Sequence, residues 1–148
     1  MAIQRSTFPL PDIDEPLTAG FFVAAAHDEL RIPFCATCER WVWYPESACA
    51  RCSGSLEWRQ VGGNATLFSW AVVERVFLPA FAERVPYITA LVALDEDPSI
   101  RLCTYLVDAD TALLVADMPC TVVFRDLTFP TVEGVIVRVP MFTLASTS

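Results

Sequence analysis

Cys35-Ala36-Thr37-Cys38 and Cys49-Ala50-Arg51-Cys52 decide how the front third of this chain folds. Each Cys-x-x-Cys lets two thiolates grip one face of a tetrahedral ion. The ten residues between the pairs, Glu39 to Ala48, are enough to fold back and present the second pair opposite the first. Four soft sulfur donors, with Zn–S distances of about 2.3 Å, suit Zn²⁺ and close its coordination shell. No position is left for water or substrate, so the ion is structural and the motif predicts a zinc ribbon. Two redox disulfides explain a facing pair of motifs less well than one metal does. Iron, which takes the same four-sulfur set, is the second choice of ion. A ribbon of about thirty residues buries too little apolar surface to offset its ordering entropy. Structural zinc contributes on the order of 10–16 kcal/mol of apparent binding free energy, which becomes folding free energy.

Around the ribbon, hydrophobic residues make up 54% of 148, and mean hydropathy is +0.44. No apolar run approaches the roughly 18–20 residues of a membrane span, so the surplus belongs in a β-rich core or against another protein. Residues 1–16 lack a cationic stretch followed by an apolar one, and free Cys103 and Cys120 beside a metal tetrad fit a reducing cytoplasm. Ten arginines and no lysine leave a net charge of −8. The absence of lysine excludes a Walker-type phosphate loop and a Schiff-base lysine. Only residues 31–60 escape a negative surplus, which argues against a nucleic-acid binder with a basic face.

The coarse order follows from patterning. Met1 to Asp12, with Pro9 and Pro11, reads as an extended arm. Asp14-Glu15-Pro16 carries helix-start chemistry and predicts one helix over about 15–28. Arg31 to Phe34 leads as a strand into the first knuckle, and Leu56 to Val61 leaves the second. Beyond Gly62-Gly63-Asn64 come five short strands. The residues expected to share one face of each are Thr66, Phe68, Trp70 and Val72; Ile88, Ala90, Val92 and Leu94; Ile100, Leu102, Thr104 and Leu106; Cys120, Val122 and Phe124; and Val135, Val137 and Val139. Five strands at this spacing predict a small closed barrel, with Asp108 to Val115 as a short plug helix between the third and fourth. The fold class is therefore mainly β: an arm and helix over 1–30, a zinc ribbon over 31–61 and a five-stranded OB-type barrel over 62–148.

Helix, Cys₄ ribbon and barrel in this order resemble the acyl-CoA-associated family that joins a rubredoxin-like zinc ribbon to an OB-fold. The resemblance rests on Phe21-Phe22, Leu30-Arg31, both Cys pairs with Trp43-Tyr44-Pro45 between them, Gly63, and Pro86-Tyr87. It continues through Ala93-Leu94-Asp95-Glu96, Val107-Asp108, and Met118 followed by Val122 and Phe124. Glu39, Asp97 and Ala116 stand where the family usually has Gly, and Ala50 where Pro is common. The resemblance implies one structural Zn²⁺ on Cys35, Cys38, Cys49 and Cys52. It also implies a non-catalytic accessory subunit of a hetero-oligomer, docked on a thiolase-like or other acyl-CoA-processing enzyme. Acyltransferases, hydroxymethylglutaryl-CoA synthase assemblies, and the aldolases and hydratases of steroid side-chain breakdown are such partners. There the subunit helps assemble the enzyme or accept the CoA thioester; neither nucleic acid nor a membrane is implied.

Other residues are weighed singly. A Cys–His nucleophile would need the lone His27 beside Cys103 or Cys120, which read instead as small buried hydrophobes. Asp95-Glu96-Asp97-Pro98 reads as a solvated hairpin turn rather than an acid/base pair. Val76 to Pro86 is apolar where a connection should be polar, so Phe77, Leu78 and Phe81 either cap the barrel or contact a partner or acyl chain. Trp41 and Trp43 pose the same choice, with one expected inside and one outside. Arg31, Arg40, Arg51 and Arg59 are the candidates for CoA phosphates, against ordinary pairing with Glu39, Glu46 and Glu57. A single-stranded nucleic-acid module is the alternative, since ribbons and OB barrels both serve that purpose; the acidic barrel disfavours it.

Overall fold

The computed structural model describes residues 8–146; the predicted arm before Phe8 lies outside them. Helix α1 spans Ala19–Ala25, strands β1, β2 and β3 span Arg31–Cys35, Arg40–Trp41 and Glu57–Gln60, and β4 spans Asn64–Val73. Strands β5 to β8 follow at Tyr87–Leu94, Arg101–Leu106, Pro119–Phe129 and Val132–Leu144. The first three form a small antiparallel sheet in the order β2-β1-β3, and the remaining five close into a barrel in the order β4-β5-β6-β8-β7. All barrel pairings are antiparallel except β6 with β8, which meet in parallel at Leu106 and Phe142. That closure leaves no sheet edge exposed and is the topology of an OB-fold.

The helix is shorter than the expected 15–28. Thr18 and Ala19 N–H both donate to Glu15 C=O, so a separate turn precedes it, and the Asp12 carboxylate takes the Asp14 N–H. Its other end is closed by Asp28 at φ 58°: Glu29 N–H reaches Ala24 C=O and Asp28 N–H reaches Ala25 C=O. Those paired bonds are how a left-handed residue satisfies a helix's last carbonyls. Gly20 lets α1 lie against the ribbon, since a Cβ there would sit 2.3 Å from the Trp58 indole.

One core runs through ribbon and barrel. Leu30, Ile32 and Val61 are buried together with Leu67, Val92, Leu102 and Phe142, so the ribbon's first strand helps fill the barrel end. Gly63, at φ 87°, makes the passage between them, where a Cβ would strike the Val122 side chain at 2.3 Å. A second, smaller core lies outside the barrel: Leu127, Phe129, Val132, Val137 and Met141 of the long β7–β8 hairpin, closed by Leu10. Leu10 is thus docked rather than part of a free arm.

Two of these faces need comment. On β4 the buried residues are Ala65 and Leu67, while Phe68 and Val72 are exposed. A bulge between Leu67 and Ser69 inserts one residue and returns Trp70 to the core. On β8 the Val135, Val137 and Val139 run faces the second core, not the barrel. The plug between β6 and β7 is one 3₁₀ turn, Thr111–Leu113, capped by the Asp110 carboxylate, which accepts the Ala112 N–H. Among the described residues no helix is long and apolar enough to cross a membrane.

Candidate metal centre and its surroundings

The sulfur atoms of Cys35, Cys38, Cys49 and Cys52 all lie within 4.8 Å of one another. Cys35 Sγ is 3.5 Å from Cys52 Sγ, and Cys49 Sγ is 3.9 Å from Cys38 Sγ. A tetrahedron with Zn–S bonds of about 2.3 Å separates its sulfurs by about 3.8 Å, so the four residues fit one such ion. Bound there, it would join the two knuckles and leave no open coordination position.

The knuckles are shaped by their backbones. Each turns through a left-handed residue directly after its second cysteine: Glu39 at φ 51° and Ser53 at φ 59°. Glu39 therefore adopts the conformation for which glycine is the usual choice. The turns aim N–H groups at sulfur: Cys38 N–H lies 3.4 Å from Cys35 Sγ, and Gly54 N–H 3.3 Å from Cys52 Sγ. Donors from the backbone of Arg51 and Cys52 hold the Cys49 thiol down at about 6. Cys38, sharing protons with Cys52 above all and partly desolvated, is pushed up to about 12. Cys35 and Cys49 are buried and Cys52 is exposed, so the site has one sealed side and one facing solvent.

The aromatic candidates separate by position. Trp41 and Trp43 are both half-buried against the main core, correcting the expectation of one inside and one outside. Trp41 packs on Phe34 with ring centres 4.9 Å apart, and Trp43 on Phe21 at 5.7 Å. The exposed aromatic of the ribbon is Tyr44, at 69%, stacked on the Trp43 ring. Sequence patterning missed it, although the Trp-Tyr-Pro turn marks where the chain reverses. In the β4–β5 connection Phe81 turns inward against Phe129 (centroids 5.2 Å), while Phe77 is 77% exposed with Leu78 beside it.

The arginines are not gathered into one cluster. Register places Ile32 opposite Arg59, so Arg59 and Arg31 lie on opposite faces of the ribbon sheet. Arg59 pairs with Glu57 and lies 3.7 Å over the Phe34 ring; Arg31 pairs with Glu29 at 2.8 Å. Among the described residues Arg40 and Arg51 carry no ion pair, and Arg51 is the exposed one, on the second knuckle.

Nor do the catalytic alternatives converge. His27, just past the end of α1, has its Nδ1 3.0 Å from Val23 C=O of that helix. Cys120 is buried and its thiol, which donates to Met118 C=O, is raised to about 11 by desolvation. Cys103, expected to be buried, is exposed on the outer side of β6, because the inward positions of that strand are Leu102 and Leu106. Glu96 and Asp97 do turn work: the Glu96 carboxylate accepts the Gly62 N–H, and Asp97 accepts from the Ser99 N–H and hydroxyl.

Comparison with known proteins agrees with this geometry. A family model described as the rubredoxin-like zinc ribbon domain of ChsH2 matches residues 22–59, and one described as the ChsH2 C-terminal OB-fold domain matches residues 58–125. The chain belongs to the ChsH2 family. A solved chain described as "Ltp2-ChsH2(DUF35) aldolase" superposes on it with a TM-score of 0.78 at 26% identity, covering 92% of this chain and 100% of that one. A DUF35-family protein of unknown function from Sulfolobus solfataricus shares the fold, with a TM-score of 0.55 and 12% identity over 88% of this chain and 86% of that one. A protein of Thermomonospora curvata named a probable enoyl-CoA hydratase alpha subunit is 34% identical over 113 residues. That match takes in 75% of this chain and 34% of the relative, so the ChsH2-family chain spans about a third of its length.

Proposed function

We propose that this chain is a non-catalytic cytoplasmic subunit that docks on a thiolase-like or other acyl-CoA-processing enzyme of lipid or steroid side-chain metabolism. It helps to assemble that enzyme or to accept its CoA thioester. One observation carries the reading: likeness over nearly the full chain to a ChsH2 chain from a structure named as an aldolase with Ltp2. Supporting it, His27 bonds back to Val23, Cys120 is buried and Cys103 lies on the outer side of β6, so these groups do not come together, whereas Tyr44, Phe77 and Leu78 are turned to solvent. Exposed aromatic anchors such as Tyr44 and Phe77 are frequent at interfaces. Arg51 is the candidate for a CoA phosphate, being exposed on the second knuckle.

The experiment is co-expression with a thiolase-fold or hydratase protein encoded nearby, followed by affinity purification and an acyl-CoA turnover assay. Stoichiometric co-purification, turnover by the complex and none by this chain alone are expected. Phe77→Ser with Leu78→Ser should weaken the complex about tenfold or more, as loss of an interface anchor does, with zinc content unchanged. Turnover by the purified chain alone would overturn the reading. So would steeply salt-dependent oligonucleotide binding without any enzyme partner.

A further inference from the structure

The outer face of β5 and β6 carries a groove that the metal centre and the docking role leave unused. Alternation sends Ile88, Ala90, Leu102 and Leu106 into the barrel, which leaves Tyr87, Thr89, Cys103 and Tyr105 facing outward. Phe21 of α1 and Phe81 of the β4–β5 connection overhang them, and with Val139 and Pro140 of β8 they bound a cavity of about 460 Å³. That is small-molecule size, within the usual range of roughly 300–1,000 Å³. Its polar groups are Thr and Tyr hydroxyls and one thiol, and no lining residue is charged. A phosphate, a nucleotide or a nucleic-acid strand would meet no cation there. An uncharged apolar body would cover aromatic surface without burying an unpaired charge. In OB-folds this face, the second and third strands with the loop between the first and second, is where oligonucleotides and oligosaccharides bind; here its uncharged aromatic lining suits an apolar body instead.

We propose that this groove binds the uncharged acyl portion of a small molecule. In naming an acyl group as the occupant, the proposal rests on the acyl-CoA reading above. It assigns the two ends of one connection to different tasks: Phe81 turns inward to the ligand, and Phe77 outward to the protein partner.

Cys103 reports on occupancy, because the tetrad thiols are the ion's ligands and Cys120 is buried. The full zinc-loaded chain is alkylated with N-ethylmaleimide in the presence or absence of S-octanoyl-N-acetylcysteamine, a neutral thioester. The Cys103 adduct is followed by peptide mass spectrometry. Saturable protection that slows alkylation about tenfold is expected, corresponding to about 90% occupancy. Unchanged alkylation throughout the probe's solubility range overturns the proposal, and so does equal protection by free coenzyme A. Thr89→Phe, which fills the groove from its outward face, should abolish protection while zinc content and thermal midpoint stay the same. Should that variant fail to fold, Cys103→Trp, with octanoyl thioester binding read by calorimetry, puts the same location at risk; binding that survives the filling overturns it. Loss of probe binding with the enzyme complex intact removes the groove alone. Loss of the complex with probe binding intact removes the subunit reading alone.

Discussion

The ribbon and the barrel are held by different physics within one chain. The ribbon has three short strands and depends on four sulfurs that lie within 4.8 Å. The barrel has five strands and depends on a continuous set of buried aliphatic residues around Leu67, Val92 and Phe142. Where apolar volume is scarce, coordination supplies the free energy; where it is plentiful, packing does. The two mechanisms meet at Leu30, Ile32 and Val61, at the entry, first strand and exit of the ribbon, which are buried in the barrel core.

Breaking the ribbon should have the largest effect. Cys49→Ser, or a strong chelator, should release the metal and forfeit a contribution on the order of 10 kcal/mol. Elemental analysis should show no zinc, tryptophan fluorescence should report exposure of Trp41, Trp43 and Trp58, and the barrel's melting midpoint should fall as well because the core is shared. A barrel that melts unchanged would separate the two regions. Breaking the other side comes next. Phe142→Ala, at one of the largest fully buried side chains, should cost about 3–5 kcal/mol in chemical denaturation, with one metal per folded molecule retained. A smaller effect of opposite sign is expected at the first knuckle. Glu39→Gly relieves a left-handed conformation at φ 51° and should raise the unfolding midpoint by about 1 kcal/mol equivalent.

The smallest effect concerns the link between α1 and the hairpin. Asp28 is held below its ordinary value of 3.8, first by its hydrogen bond from Arg138, which also bonds Asp126 at 3.0 Å. A depressed carboxyl contributes stability that is complete above its unfolded value and is lost as pH falls through the folded one. Acid titration should therefore show wild type more stable than Asp28→Asn at neutral pH, with the difference closing below about pH 4. A constant difference across that range would remove Asp28 as its source.

The ribbon was legible because coordination chemistry is written in residue identity: four cysteines at fixed spacing admit few structures. Barrel strands were legible wherever period-two alternation ran unbroken, as in Ile88 to Leu94 and Ile100 to Leu106. Alternation failed at the Leu67/Ser69 bulge, which adds one residue and leaves no mark in composition. On β7 it was followed only to Arg125, while the opposite face, Val123, Leu127 and Phe129, builds the second core. Leu10 docks on that core from far away in sequence, a contact no local pattern announces. Of the candidate site, the tetrad was readable, while the inward turn of Phe81 and the exposure of Phe77, Tyr44 and Cys103 depend on neighbours that only the fold supplies.

The parallel meeting of β6 with β8 has a kinetic consequence. The ribbon's pairings reach no further than Arg31 to Gln60, whereas the barrel cannot shut until Phe142 reaches Leu106 and Cys120 reaches Ala65. Distant contacts form slowly because chain entropy is lost before they reward it. During synthesis the metal knuckles can mature first, holding an oily strand bare until the last staves arrive; a chaperone has its opening in that interval.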